Sequence, residues 1–436
     1  MPTEAIQGWG RHPRIDAEVS HPTTSRSARA ALASKPSLIA RGLGRSYGDS
    51  SLAPQAVQTD RLNLFLDFDP DAGVLTAQAG VSLDEILRVF VPRGWFLPVT
   101  PGTRFVTLGG AVASDVHGKS HHSTGCFSEC VASFVLLLAD GQAWTCSRDE
   151  NPELFRATCG GMGLTGVILA VTLRLKPIQS AYFDQVTYKC PSLEAVLERF
   201  DETAKSSYSV AWIDCLSTGK SLGRSVLNVG EHAAEGGLAP HRAPMIPVPF
   251  VPPFPLVNPF TIKAFNALVY GKELQAVKRD RVHYTPFLYP LDVASDWNRL
   301  YGRDGFTQYQ LAIPTAAGPK GLRLLLERIA ASGMGSSLAV LKVFGPANAN
   351  PLSFPIAGYT LALDFKVQPG LFEMLDELDA MVLDLGGRLY LTKDARMGES
   401  MFKRSYPRWT EFQGVREKVG AIGRFASLQS KRLGLD

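Results

Sequence analysis

Hydrophobic positions fall in short runs between glycine-rich loops, and their period changes along the chain. Leu83, Ile86, Leu87 and Phe90 recur at helical spacing behind Ser82 and Glu85. That pattern predicts a capping box and an amphipathic helix of about ten residues. The same spacing predicts helices through Leu193, Val196, Leu197 and Phe200, and through Leu371, Met374, Leu375, Leu378, Val382 and Leu385. Continuous apolar runs predict strands at Ser37–Ala40, Val74–Ala79, Phe134–Leu138, Val167–Leu175, Phe306–Ile313, Val340–Phe344, Thr360–Phe365 and Arg388–Thr392. The pattern is α+β. A sheet-rich first part gives way near Pro177 to a second part running to Gly387. The last fifty residues are more basic and are expected to fold back on the first part.

One stretch fits neither period. In APMIPVPFVPPFPLVNP, Ala243–Pro259, the apolar Met245, Ile246, Val248, Phe250, Val251, Phe254, Leu256 and Val257, with Phe260 beyond, crowd among Pro244, Pro247, Pro249, Pro252, Pro253, Pro255 and Pro259. Those prolines argue against a regular helix or a central strand. An apolar segment whose carbonyls a core would leave unpaired reads as an exposed binding surface. The alternative is a loop packed on the core.

Composition narrows the class. Of 436 residues, 45% are hydrophobic and 20% charged, which excludes a disordered chain, a coiled coil and a collagen-like repeat. The net charge is +4, with no basic block to track a nucleic acid. The six cysteines contain no CxxC; at this density no disulfide framework is expected, and a reducing compartment is. The first residues, MPTEAIQGWGRHPR, lack the apolar core of a signal peptide, and no run of 18 apolar residues offers a membrane span.

Three glycine loops carry the chemistry. Arg41-Gly42-Leu43-Gly44-Arg45-Ser46-Tyr47-Gly48-Asp49-Ser50 follows a strand. Its glycines let backbone N–H groups turn inward on an anion, and its two arginines add charge. A pyrophosphate fits it, and a plain structural turn fits it about as well. The second loop, Pro101 to Lys119, is rich in small residues that let a flat ligand approach the backbone, with Thr107, Ser114 and His117 as polar contacts. His117, His121 and His122 lack the HExxH pattern of a zinc site. The third, Gly161-Met162-Gly163-Leu164-Thr165-Gly166, is a literal GxGxxG, but a helical pattern precedes it and a strand pattern follows. A nicotinamide fingerprint requires the reverse order.

In this order the loops resemble the FAD-binding domain of the vanillyl-alcohol-oxidase type of flavoprotein. The likeness extends through GWGR, HGKSHH, QYQLAIP, LKVFGP, LSFPIAGYTLALDF and GGRLYLTKDAR to the branch that oxidises polyprenylphosphoryl ribose. It breaks down around Ala243–Lys272. The resemblance implies a PCMH-type FAD-binding domain, residues 1–179 plus 388–436, and a substrate domain on an antiparallel sheet, residues 180–387. It implies FAD contacts from Ala40, Arg41, Gly42, Leu43, Gly44, Arg45, Ser46, Tyr47, Gly48, Asp49, Ser50, Gly102, Thr107, Leu108, Gly109, Gly110, His117, Gly118, Lys119, Ser120, Ile168 and Tyr390. It gives catalytic roles to Lys393, Tyr47 and His117, and substrate contacts to Gln308, Gln310, Lys342 and Thr360. Relatives carry Asn and Cys in the segment matching Thr360-Leu361-Ala362, so the pocket wall differs in this chain.

The activity so implied is FAD-dependent oxidation of the 2′-hydroxyl of a polyprenylphosphoryl-β-D-ribose, the first half of an epimerisation to the arabinose form. A short-chain reductase would complete it. The alternatives are an oxidase of a soluble sugar, alditol or aldonolactone, and a non-catalytic binding protein on a flavin fold. Many relatives attach FAD through a histidine in a Gly-His-Ser context. Gly48-Asp49-Ser50 stands at the matching place, so non-covalent FAD is expected, with no metal. The location expected is cytoplasmic, with peripheral contact at the inner membrane face through residues 243–272. Without the resemblance, Lys393 would read as a surface salt bridge to Asp394.

Overall fold

The computed structural model describes residues 3–242, 246–252 and 256–436. Met245 and Phe254, with Ala243, Pro244, Pro253 and Pro255, lie outside the described residues. The helix expected behind Ser82 is Leu83–Phe90. The Ser82 hydroxyl accepts from the Glu85 N–H at 3.2 Å, and the Glu85 carboxylate accepts from the Ser82 N–H at 2.8 Å. Its buried face is Leu83, Ile86, Leu87 and Phe90, the positions the period marked. Burying such side chains contributes roughly 1.5–3 kcal/mol each.

Two sheets organise the first part. Glu4–Gln7, Arg14–Ser20, Gln55–Gln58 and Ile39–Arg41 form one, in that spatial order. Phe65–Asp69, Val74–Gln78, Val167–Arg174, Val131–Leu137 and Ala143–Ser147 form a five-stranded antiparallel sheet. The GxGxxG loop runs from the helix Pro152–Thr158 into the strand Val167–Arg174, the inverted order its flanks predicted.

The second part, joined by Arg388–Leu389 from the C-terminal segment, forms an eight-stranded sheet, all antiparallel in its pairings. Its order is Val277–His283, Tyr182–Cys190, Ser225–His232, Tyr208–Ile213, Val340–Phe344, Gly358–Lys366, Phe306–Pro314 and Arg388–Leu389. Register decides which side chains share a face. Gln310 lies opposite Ala362, Gln308 opposite Asp364, and Lys342 opposite Thr360. Side chains alternate along a strand, so these six project from one face. The intervening Leu311, Leu341, Leu361 and Leu363 are fully buried on the other.

Two expectations change. The strand expected at Arg388–Thr392 is only Arg388–Leu389; the chain then turns, with the Lys393 N–H donating to the Tyr390 carbonyl at 2.9 Å. Pro259 does not exclude a helix but begins one. Pro259–Gly271 is helical with Pro259 in the first turn, where its missing N–H costs no hydrogen bond, and Asn258 caps it. Ile246–Pro247 pairs in parallel with Ala294–Ser295.

The C-terminal segment returns to the first part. Leu38 bridges to Phe425, and the Arg432 guanidinium joins Asp49 at 2.7 Å and Asp394 at 2.8 Å.

Candidate active site

A cleft of about 500 Å³ lies between the glycine loops and the marked face of the large sheet. Its floor is the first loop. The Trp9 N–H donates to the Ser46 carbonyl at 2.7 Å, and the Tyr47 N–H to the Thr392 carbonyl at 3.0 Å. Gly44 sits at φ +64°, and a Cβ there would strike the Arg41 guanidinium. That guanidinium is already engaged, donating to the Gln7 carbonyl at 2.7 Å and the Ser51 hydroxyl at 3.3 Å. Thr107 begins the second wall, its hydroxyl accepting from the Gly110 N–H at 3.2 Å.

Ala40 to Tyr47, Ser50, Gly102, Thr107, Gly109, Gly110, His117, Ile168, Tyr390, Gln308, Gln310, Lys342 and Lys393 all line the cleft. Leu108 does not; its side chain is fully buried. Lys119 turns away, its Nζ donating to the Phe287 and Leu288 carbonyls at 2.5 and 2.8 Å. Gly118 packs on Thr100, and the Ser120 hydroxyl reaches the Pro98 carbonyl at 3.5 Å. Gly48 backs onto the Asp394 carbonyl, and Asp49 faces Arg432 rather than the cleft. Thr360 stands one layer behind, accepting from the Gln310 amide at 3.3 Å. The three histidines diverge: the His121 Nδ1 accepts from the Gly345 N–H, and the His122 Nε2 meets the Ser206 carbonyl at 2.7 Å.

The inner end of the cleft holds the titratable groups. His117 is buried against Phe344, Phe354 and Tyr390, and its Nε2 accepts from the Gln310 amide nitrogen at 3.1 Å. Burial, Lys342, His121 and Lys393 hold His117 well below its ordinary pKa, so it is neutral. With Nε2 accepting, the proton sits on Nδ1, which has no hydrogen-bond partner among the described residues. The Gln310 N–H donors serve His117 and Thr360, which leaves its carbonyl oxygen for a ligand. Burial brings Lys342 down to about 8.

Lys393 does not pair with Asp394, which Arg432 holds. Its Nζ lies over the Tyr47 ring instead. Burial and Lys342 push Lys393 down, and Asp364 opposes them. Burial pushes Asp364 up; it accepts from the Gln308 amide at 2.5 Å, and its second oxygen has no hydrogen-bond partner among the described residues.

Sequence reasoning did not name Asp364, Trp9, Phe105, Asp292 or Trp297 as site residues. Asp364 was within reach, since it continues the two-residue alternation of Thr360 and Ala362. Phe105 lies in the second loop and Trp9 in the GWGR motif, both already marked, whereas Asp292 and Trp297 are brought in by long-range folding that no local pattern encodes.

The residues fit FAD. Glycine backbone forms one wall of the cleft, open space lies beside Gly102, and at its inner end a buried imidazole N–H is without a partner among the described residues. The FAD binding domain family matches residues 20–147. The chain is 39% identical to the decaprenylphosphoryl-β-D-ribose oxidase of Mycolicibacterium smegmatis over 99% of its own length and 98% of that protein's. It is 32% identical to an uncharacterized protein in the mprA 5′ region of Streptomyces coelicolor, over 81% of this chain and all of that one. A shorter likeness, 29% over 39% of the chain, is to the D-arabinono-1,4-lactone oxidase of Yarrowia lipolytica. Likeness over nearly the whole length, together with the geometry of the cleft, gives the conclusion that the chain belongs to the decaprenylphosphoryl-β-D-ribose oxidase family of FAD-binding oxidoreductases.

Proposed function

We propose that the chain oxidises the 2′-hydroxyl of a polyprenylphosphoryl-β-D-ribose to the 2′-keto sugar. The observation that carries this reading is a cluster at the inner end of the cleft: Lys393 held against Tyr47, with Gln308, Gln310, Lys342 and neutral His117 around it. FAD, when bound, supplies the acceptor for the hydride leaving the carbinol carbon. Lys393 takes the hydroxyl proton on Nζ, because its lowered pKa makes the free amine accessible near neutrality. The Gln310 carbonyl and the His117 Nδ1–H orient sugar hydroxyls from two sides. The Gln308 amide, fixed by Asp364, faces the same space.

The Pro-rich segment supports a lipid-linked substrate over a soluble one. Ile246 is 70% exposed, Phe250 65%, Phe260 80% and Leu268 71%, far more apolar surface than a loop packed on the core would show. We read it as the resting place of the polyprenyl tail and as a peripheral contact with a bilayer. Among the described residues no helix is long and apolar enough to cross a membrane. The keto product is reactive and needs a hydride donor, so a partner reductase completes the epimerisation in this reading. We also assign residues 1–179 with 388–436 to the cofactor and 180–387 to the substrate.

The test is anaerobic. Farnesylphosphoryl-β-D-ribose should bleach the flavin, while free ribitol and arabinono-1,4-lactone should not. Bleaching by the free polyol or lactone alone would replace this reading with a soluble-sugar oxidase.

A further inference from the structure

Arg41 and Arg45 both belong to the first loop, but the fold uses them differently. Arg41 spends its donors on Gln7 and Ser51. The Arg45 guanidinium lies 4.0 Å from the centroid of Trp9 and 5.5 Å from that of Phe105, over both aromatic faces. Among the described residues it makes no hydrogen bond and no ion pair. The carboxylates whose charge acts on it, Asp292 and Asp296, are already engaged. Asp292 accepts from the Arg104 N–H at 2.9 Å and its guanidinium at 3.4 Å, and Asp296 pairs with Arg299 at 3.6 Å. Arg45 is therefore a pre-oriented cation at the cleft wall with its fork of donors unused. That geometry suits a phosphate oxyanion, which takes two parallel N–H donors from a planar guanidinium.

Its place along the cleft identifies which phosphate. Asp292, Ser295, Asp296 and Trp297 line the cleft together with Arg45. Ser295 is also the residue whose carbonyl accepts from the Val248 N–H at 3.1 Å, and Ala294–Ser295 pairs with Ile246–Pro247. So the wall that Arg45 shares is stitched directly to the exposed apolar segment. On the other side, Tyr47, two residues on, carries Lys393. The order is then proton acceptor, guanidinium, apolar surface. A lipid-linked sugar phosphate has the same order: hydroxyl, phosphodiester, hydrocarbon.

We propose that Arg45 is the recognition group for the phosphoryl bridge between the sugar and its lipid tail, rather than for the cofactor pyrophosphate. The inference rests on the lipid-linked substrate reading above but is tested separately from it. Charge-assisted bonds of this kind are lost with one to two orders of magnitude in affinity.

The experiment uses the FAD-loaded full chain and farnesyl phosphate, which has the phosphate and tail without the sugar. Binding is followed by Trp fluorescence and by the flavin absorbance band. Arg45→Met keeps length and aromatic packing but removes the charge; Arg45→Lys keeps a point charge. The expected result is unchanged flavin content in both variants, with farnesyl phosphate binding weakened at least tenfold in Arg45→Met and less in Arg45→Lys. Farnesol, which lacks the phosphate, should bind all three proteins alike. Loss of FAD from Arg45→Met, with unchanged farnesyl phosphate affinity in the reconstituted variant, would assign Arg45 to the cofactor and overturn the proposal. Equal weakening for farnesol would make Arg45 a packing residue and also overturn it. Neither arm requires turnover, so failure of the sugar to bleach the flavin remains a separate result.

Discussion

The ammonium of Lys393 sits 3.7 Å from the ring centroid of Tyr47, on the wall that Gln308 and Gln310 share. The contact fixes a long, rotamer-rich side chain over one spot of the cleft. Among the described residues Lys393 makes no ion pair, so the amine can lose its proton without breaking a salt bridge. Lys393→Met should keep FAD and slow flavin reduction about 10²–10⁴-fold, the usual cost of removing a positioned base. Rapid-mixing absorbance measures it, and an unchanged rate would remove Lys393 from the chemistry.

The same pair gives a pH prediction with a definite sign. Burial lowers the Lys393 pKa and Asp364 raises it. Flavin reduction should therefore rise with pH through an apparent pKa well below the ordinary lysine value. Asp364→Asn removes the raising charge, so the rising limb should move to lower pH. A merely structural Asp364 would change the rate without moving the limb.

The FAD should be non-covalent, since Asp49 stands where relatives carry the attaching histidine and its carboxylate is bound to Arg432. The rest of the cleft agrees: among its described lining residues the sole imidazole is His117, and none is a cysteine. Acid precipitation should leave all flavin in the supernatant. Flavin in the pellet would point to His117. The missing thiol, at Ala362 among others, also predicts that thiol reagents leave the pocket unlabelled.

Arg432 holds two buried carboxylates, Asp49 and Asp394, and so ties the C-terminal helix to the first loop and to the Lys393 turn. Arg432→Ala leaves both uncompensated. Breaking such a pair costs about 3–5 kcal/mol, so denaturant midpoints should fall clearly and FAD should dissociate more readily. A change within about 0.5 kcal/mol, the usual surface effect, would contradict the role.

Acid should destabilise the fold through its buried histidines. His121 is pushed down to about 3, chiefly by burial and by Lys342. The unfolded chain takes up a proton below about 6.5, while the folded chain resists until about 3. Stability contributed by the neutral form is thus lost as pH falls across that window, by about 1.4 kcal/mol per pH unit. Urea midpoints at pH 7 and pH 5 test it, with His121→Asn expected to flatten the dependence.

Much of this was legible in the sequence because it was local. The Ser82–Glu85 box, the helix face Leu83 to Phe90 and the inverted flanks of the GxGxxG loop all follow from spacing within a few residues. Gln308 and Gln310 follow from strand alternation. What was hidden depends on contacts between distant segments. Asp394 bonds Arg432 rather than Lys393, Asp364 meets Gln308 across a strand pair, and Trp9 stacks on Arg45. Pro259 begins a helix that the run of prolines argued against, because a proline that disrupts a helix interior is favourable in its first turn.

The central claim is that this cleft removes hydride from C2′ of a lipid-linked ribose. The most direct measurement is anaerobic bleaching of the bound flavin by farnesylphosphoryl-β-D-ribose carrying protium or deuterium at C2′. The account predicts full bleaching, a slower rate with deuterium, and a 2′-keto sugar as product. Bleaching at equal rates with either isotope, or none at all from a fully FAD-loaded protein, would contradict it.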